Sequence, residues 1–428
     1  FYAGLFCVPF ILWLSLTGAI YLFKPQIEAW INAPYRHVAA EDARMLPPSS
    51  LVKAASDAVP GSVLHRYVLP ESPGDAVQIL VGKQSDEWRV WVHPVTGAIL
   101  KSVPEQDRLM RVVFRLHGEL LAGEFGSALV ELAASWTIIM LLTGLFLWWP
   151  RQSGLAGLLW PRTRRGRRVF WRDLHAVSGF WVSSAAILLI LSGLPWASNW
   201  GDYLRSVRQL TGTQAVEQDW SAGSAADARA RAALDRASRA MRDPHAEHRG
   251  MTMPHVRSGL DAIDRVFPIA AGLGFAGPVE ISPPTKANGP WMVRSQAANR
   301  PRRDTAEIAA NGALVGVERF DQRHWIDRLG GYGVALHEGA WAGLSNQIVN
   351  LLVLVGLVTL ALSSVVLWWR RRPQGRLGTP MPMGRLQHSP ALVVLVIALA
   401  LLVPLFGISL ALVVAVEAIV KRAWPGGA

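Results

Sequence analysis

Apolar residues are concentrated in five long stretches of the chain, and the segments between them are mainly polar. Each stretch reaches the roughly 20 residues that a helix needs to cross a bilayer. The first stretch has no small-residue cleavage site and continues directly into Phe23-Lys24-Pro25, which favours a retained helix over a signal peptide. The pattern therefore predicts about five transmembrane helices, at residues 1–23, 126–149, 175–197, 339–369 and 390–420.

Two long segments, residues 24–125 and 198–338, have the patterning of soluble structure. In the first, a helical pattern at 51–59 is followed by alternating apolar residues at 76–81 and 88–92, which predict half-buried strands. The second repeats this plan, with an amphipathic helix at 225–241, strands at 291–294 and 313–317, and an Asn311-Gly312 turn. We therefore expect two small α+β modules.

The positive charge of the chain is unevenly distributed, and its distribution indicates membrane topology. The formal net charge is +12 over 428 residues, and Arg is concentrated in the short loops at 150–174 and 370–389. Basic loops beside transmembrane helices remain in the cytoplasm. This predicts a multi-pass protein of the bacterial inner membrane with both modules in the periplasm, in contact with the lipid bilayer and without a nucleic-acid partner.

Cysteine usage restricts the possible cofactors. Cys7 is the only cysteine. An intrachain disulfide, a Cys-rich zinc or iron–sulfur site and a covalent haem motif are therefore excluded. Any haem must be of the b type, bound without a covalent link.

Histidines recur at fixed positions relative to the apolar stretches. Leu116-His117 precedes a stretch that ends at Trp148-Trp149, and Leu336-His337 precedes one that ends at Trp368-Trp369, each residue 220 positions later. Ionisable residues at membrane segments are costly, so a functional role is the default hypothesis. A histidine at a membrane boundary can also be only an interfacial polar residue.

A second repeat has an offset of 175 positions. Leu16-Thr17-Gly18 aligns with Leu191-Ser192-Gly193, and on this register His175 corresponds to the position immediately before Phe1. Because the sequence starts without Met, we expect that residues precede Phe1. From the register with His175, we expect the residue immediately before Phe1 to be a histidine. The four histidines, two at each membrane face, are then candidate axial ligands for two non-covalent haem b groups: His117 with His337 on the outer side, and His175 with the expected residue on the inner side. His388 is a weaker substitute for the inner site.

Several short motifs resemble the PepSY-associated transmembrane family. They are Leu-Thr-Gly at 16–18 and 142–144, the run from Asp173 to Phe180, Leu336-His337-Glu338, and the Trp-Trp pairs followed by basic residues. The resemblance covers nearly the whole chain and implies that the two modules are PepSY-like. It also implies similarity to inner-membrane di-haem reductases that take iron from ferric siderophores in the periplasm. By motif position, it implies that His117, His175, His337 and a histidine just before Phe1 bind the haems.

Three functional hypotheses follow. The first is an oxidoreductase that passes electrons from an unidentified donor to a ferric siderophore or another iron chelate. The second is a membrane-anchored PepSY binding, assembly or peptidase-regulating protein without redox activity. The third is a transporter. It is disfavoured because ionisable residues deep within the apolar stretches are nearly absent, with Glu131 and Glu417 as the main exceptions, and an ion path usually needs more. An anionic chelate could be attracted by Arg294, Arg300, Arg302 and Arg303, although a solvated loop explains them equally well.

Other motifs have simpler interpretations. The glycine-rich run from Gly272 to Gly277 is followed by Pro278 and not by a helix, so it is interpreted as a loop and not as a dinucleotide site. His245 and His248 are interpreted as surface residues. Glycines near the candidate ligands either admit a macrocycle or serve helix packing; they are Gly118, Gly123, Gly126, Gly179, Gly339 and Gly343.

Overall fold

A computed structural model describes residues 2–40, 42–148, 157, 159–213, 228–229, 231–236, 260–286, 289–372 and 390–423. The chain forms two compact units. The helical unit comprises Phe1–Leu22, Arg115–Gln214 and Ser345–Ala428, and the sheet unit comprises Phe23–Phe114 and Ala215–Leu344.

The helices and strands of the described residues follow in chain order. The α-helices are α1 (Tyr2–Leu22), α2 (Lys24–Asn32), α3 (Pro48–Ala58), α4 (Leu109–Glu119), α5 (Gly123–Trp148), α6 (Arg167–Gly193), α7 (Ser198–Leu210), α8 (Ala262–Gly272), α9 (Trp325–His337), α10 (Leu344–Arg371), α11 (Pro390–Leu402) and α12 (Pro404–Ala423). The strands are β1 (Val63–Val68), β2 (Val77–Lys83), β3 (Asp86–Val92), β4 (Ile99–Pro104), β5 (Val279–Ser282), β6 (Trp291–Ser295), β7 (Thr305–Ile308) and β8 (Leu314–Glu318).

Four helices among the described residues are long and apolar enough to cross a membrane: α1, α5, α6 and α10. They pack through small residues and short polar contacts. A Cβ added at Gly356 of α10 would lie 2.3 Å from Val182 Cγ1 of α6, so only glycine permits this approach. Gln347 Nε2 of α10 donates a 2.7 Å hydrogen bond to the Leu22 carbonyl, which the end of α1 leaves without an intrahelical donor.

The prediction of one transmembrane helix at 390–420 is wrong. This region forms two shorter apolar helices, α11 and α12, which are separated at Val403. Pro404 has no backbone N–H and its ring interferes with the preceding turn, so a straight helix cannot continue through it. The Trp200 indole donates a 3.2 Å hydrogen bond to the Leu402 carbonyl at this break.

Glu131, an acidic residue within α5, is buried and caps α7. Its Oε2 accepts hydrogen bonds from the amides of Asn199 and Trp200, at 3.2 and 3.3 Å, and Ser127 Oγ accepts one from the Ser198 amide. A carboxylate at a helix N-terminus satisfies amides that lack intrahelical partners and interacts favourably with the helix dipole. A structural role therefore explains this intramembrane carboxyl.

The sheet unit contains one antiparallel sheet of eight strands in the order β4-β3-β2-β1-β5-β6-β7-β8. The helix predicted at 51–59 and the four predicted strands are present as α3, β2, β3, β6 and β8. The two predicted modules, however, share this sheet, because β1 pairs with β5 through Tyr67–Ile281 and Val68–Glu280. Helices α3 and α8 pack against one core with both halves of the sheet. Of the helix predicted at 225–241, residues 228–229 and 231–236 are described, and they are helical.

Candidate functional site

His117 and His337 lie on short helices that precede the transmembrane helices, and not on the transmembrane helices themselves. His117 is in the last turn of α4, and His337 is the last residue of α9. The chain then turns through glycines of the same conformation, since Gly123 and Gly343 each have φ +59°. A left-handed backbone at both positions explains why the repeat retains glycine there.

The His117 ring is held against α1 in the helical unit. Its Nδ1 lies 2.9 Å from the Thr17 hydroxyl, and its Cε1 would lie 3.2 Å from a Cβ added at Gly18. The Trp13 indole also donates a 3.0 Å hydrogen bond to the Leu116 carbonyl. Residues of one α1 face therefore fix both the ring and the backbone beside it.

The hydrogen bonds of Thr17 favour one tautomer of His117. The Thr17 hydroxyl has one proton, and the Trp13 carbonyl, at 2.9 Å, is an acceptor for it. With the proton in that bond, the hydroxyl oxygen accepts from His117 Nδ1–H, and the lone pair of the neutral ring is on Nε2. Neutral imidazole in this tautomer is suited to bind iron through Nε2.

His175 has the same arrangement on α6. Its Nδ1 lies 2.9 Å from the Ser363 hydroxyl of α10, and Ser363 donates to the Leu360 carbonyl at 3.0 Å. Ser363 is fully buried and Thr17 is 4% exposed. The same arrangement favours the tautomer of His175 with the proton on Nδ1 and the lone pair on Nε2.

The two histidines lie at different depths of the helical unit. A Cβ at Gly18 would contact both His117 and Leu354, which places His117 near the level of Leu354 on α10. His175 contacts Ser363, nine residues later on the same helix. With a rise of 1.5 Å per residue, the two levels are about 14 Å apart along α10.

The donor set suits a haem. A six-coordinate b-type site requires neutral imidazoles with the lone pair directed to the iron, and a hydrogen bond from the other nitrogen to orient each ring. His117 and His175 each have a hydroxyl 2.9 Å from Nδ1, in position to orient the ring. Among the described residues, no group of three or more His, Cys, Asp or Glu side chains is placed to bind a metal ion.

Part of the basic loop before α6 is fixed to the helix near His175. The Arg162 guanidinium binds the Asp173 carboxylate with two hydrogen bonds, of 2.7 and 2.9 Å, and the Arg162 amide adds a third. Asp173 is buried and Arg172 also binds it. Arg162 therefore has a structural role in addition to its contribution to the charge of the loop.

The sequence profile of the PepSY-associated TM region family matches residues 1–371. The chain belongs to this family. No curated protein matches the chain. The matched region ends at the last residue of α10, so it includes all four candidate spans and the whole described sheet unit, and α11 and α12 follow it.

For the other candidate residues of this PepSY-associated TM protein, the structure shows only local contacts or lacks a description. Arg300 is buried, with Nε 3.9 Å from Glu338 Oε2, and Arg303 Nε donates to the Ala297 carbonyl at 2.7 Å. Only Arg302 of the predicted arginine group is exposed. His245, His248 and His388 lie outside the described residues, and His337 lies in the sheet unit.

Two residues that contact the candidate ligands, Thr17 and Ser363, are not predicted from the sequence as site residues. Thr17 belongs to a Leu-Thr-Gly repeat, and Ser363 lies in an apolar helix without a motif. A usable signal was present in the registers. Thr17 aligns with Ser192 at an offset of 175, and Ser363 aligns with Thr143 at an offset of 220. All four hydroxyls donate to a carbonyl of the preceding turn.

Proposed function

We propose that this protein is a di-haem b transmembrane electron-transfer protein that reduces ferric siderophore iron. It would receive electrons from an unidentified donor in the membrane or the cytoplasm. The sheet unit would lie in the periplasm, where the iron chelate is reduced. Membership in the PepSY-associated TM region family and four candidate membrane spans support a multi-pass membrane protein of this type.

One observation carries the proposal. Two histidines at different levels of the helical unit each have Nδ1 2.9 Å from a buried hydroxyl that is also bonded to a backbone carbonyl, which favours a lone pair on Nε2. An interfacial histidine with no specific role does not require a fixed tautomer. The occurrence of the same arrangement twice, about 14 Å apart along α10, favours two ligand positions at two depths.

The ligand pairing follows from the sequence repeats. His117 would share one site with His337, and His175 would be a ligand of the other. Haem b bound at these positions would supply one-electron transfer between two depths of a hydrocarbon core about 30 Å thick. The chain would contribute neutral imidazoles of fixed orientation and a low-dielectric surrounding.

Reduction of the iron would explain how a ferric siderophore gives it up. One electron converts one chelated Fe(III) to Fe(II), and no bond within the chelator has to break. Fe(II) is less charged and softer, so hard oxygen ligands hold it more weakly. A siderophore with oxygen ligands would therefore release its iron, and the siderophore itself would remain intact.

The sheet unit favours a second candidate function, that of a membrane-anchored binding or assembly protein. Edge strand β8 exposes apolar side chains, with Leu314 49% and Val315 59% exposed. An open edge of this kind can accept an additional strand from a partner peptide. Under this alternative, the histidines are not needed and no haem is bound.

Absorption spectroscopy separates the two candidates. We expect the protein purified from membranes to show a low-spin b-type spectrum with about two haems per chain, oxidised and after reduction with dithionite. Mixing the reduced protein with a ferric siderophore should reoxidise it, whereas the same siderophore loaded with redox-inert gallium should not. A colourless protein that gains no haem on reconstitution would contradict the proposal and favour the binding function.

A further inference from the structure

Two buried hydroxyl groups, on Thr17 and Ser363, contact the candidate ligands from helices other than those that carry the histidines. Thr17 on α1 contacts His117 of α4, and Ser363 on α10 contacts His175 of α6. The paired residues are 100 and 188 positions apart in the sequence. Tertiary packing therefore brings a hydroxyl to Nδ1 at both levels.

A hydroxyl within a transmembrane helix usually has a simpler role. Ser and Thr commonly donate to a carbonyl three or four residues earlier, which satisfies the hydroxyl proton without any further partner. Thr359 and Ser364 of α10 make such bonds, at 2.8 and 2.7 Å. Thr17 and Ser363 make the same bond and also accept one from a histidine ring.

We propose that Thr17 and Ser363 are positioning residues that set the ring orientation and the electron-donating strength of the two histidines. This inference rests on the proposed function, because it concerns imidazoles that bind haem iron. The backbone bond directs the hydroxyl proton away from the ring, so the oxygen presents a lone pair to Nδ1–H. This bond raises the basicity of the coordinating nitrogen, which stabilises the oxidised iron relative to the reduced iron.

Removing each hydroxyl has a predictable effect. Thr17→Val keeps the side-chain shape, and Ser363→Ala leaves a small space, but both remove the acceptor of Nδ1–H. The less basic imidazole should shift the reduction potential of one haem in the positive direction. The retention of that haem should fall about 10- to 100-fold, as for other residues that orient metal ligands.

The experiment is a redox titration of the purified protein followed optically, together with haem quantified per chain. Thr17→Val should shift one transition and Ser363→Ala should shift the other. Thr17→Ser keeps the hydroxyl and should retain the wild-type potentials. Thr359→Val and Ser364→Ala are matched controls, because they remove α10 hydroxyls whose backbone bonds are of the same type. If Thr17→Val does not accumulate in membranes, Thr17→Ala also removes the hydroxyl and provides the same test with a smaller side chain.

The outcomes separate the two proposals. A wild-type protein with two haems, whose potentials and retention are the same in the hydroxyl variants as in the controls, would overturn the positioning role while the proposed function stands. Equal shifts of both transitions by either variant would also overturn it, because general loosening of the bundle would explain them. A wild-type protein without haem would overturn both proposals.

Discussion

At the scale of single residues, two candidate ligands each contact a hydroxyl of another helix: His117 contacts Thr17, and His175 contacts Ser363. His117, His175 and His337 were identifiable because a histidine at a membrane boundary is costly and its spacing repeats. Thr17 and Ser363 are harder to identify, because a hydroxyl can satisfy itself on its own helix, and the repeats mark hydroxyl positions without showing which of them contacts a histidine. Which hydroxyl meets a histidine depends on packing between distant helices.

Under the proposed function, the candidate ligand histidines give a direct prediction at this scale. His117→Ala should remove one haem and leave the other, because the remaining site keeps its own imidazoles. His337→Ala should have the same effect on the same haem, and His175→Ala should remove the other haem. Haem per chain, with the optical and electron paramagnetic resonance spectra of the remaining haem, measures this.

The histidine at position 37 provides the control. Its side chain is 68% exposed in the sheet unit, so His37→Ala should leave both haems in place. Loss of both haems, or of neither, from a single ligand variant would contradict the pairing.

At the scale of helices and strands, periodicity predicts the four candidate spans, helix α3 and strands β2, β3, β6 and β8, but not the shorter elements between them, among them strands β1, β4, β5 and β7. Pro404 is visible in the sequence, but the unbroken apolar run on both sides of it predicts one helix. Strand β1 was missed because its pairing with β2 shifts register between Leu64 and Arg66, so that alternation is broken at His65. A bulge of this kind redirects a side chain.

The bulge places His65 in a buried charged group that joins β1 to β3. Glu87 binds His65 Nδ1 at 3.0 Å and Arg66 Nη2 at 2.7 Å, and it is 2% exposed. A Cβ at Gly82 would lie 1.9 Å from the His65 ring, so glycine is required there. Burial alone raises the pKa of the Glu87 carboxyl, but the charge of Arg66 and hydrogen bonds from His65 and Arg66 outweigh burial and hold that pKa well below its ordinary value of 4.5.

This group predicts an acid-sensitive sheet. Because the pKa of Glu87 is lowered in the folded state, its contribution to stability is present above pH 4.5 and is lost as the pH falls below that value. Hydrogen exchange of β1 and β3, corrected for intrinsic rates, should show decreasing protection over that range. Glu87→Gln should have lower protection at neutral pH and a weaker dependence on acid.

Glu71→Gln is the matched control, because that side chain is 64% exposed and should leave the profile unchanged. An acid profile of Glu87→Gln identical to that of the wild type would show that this carboxyl is not responsible.

At the scale of the whole molecule, pairing between distant segments determines the architecture of the sheet unit. The sequence indicated a repeated α+β plan, but not that the two copies share a sheet. That join depends on pairing between β1 and β5, which are separated by more than 200 residues and by two of the four candidate spans, α5 and α6. Local patterns contain no information on such pairing, since a strand has the same alternation whether it lies at an edge or in the centre.

The shared sheet predicts coupled stability of its two halves. Ile281 of β5 is fully buried and pairs with Tyr67 of β1. An aspartate there buries an unpaired carboxylate, which costs several kcal/mol. With one sheet, Ile281→Asp should increase exchange in β1 and β2 as well as in β5 and β6. Leu314→Asp on edge strand β8, where the side chain is 49% exposed, should leave β1 and β2 protected. Full protection of β1 and β2 in Ile281→Asp would mean that the halves are stable independently, as two modules would be.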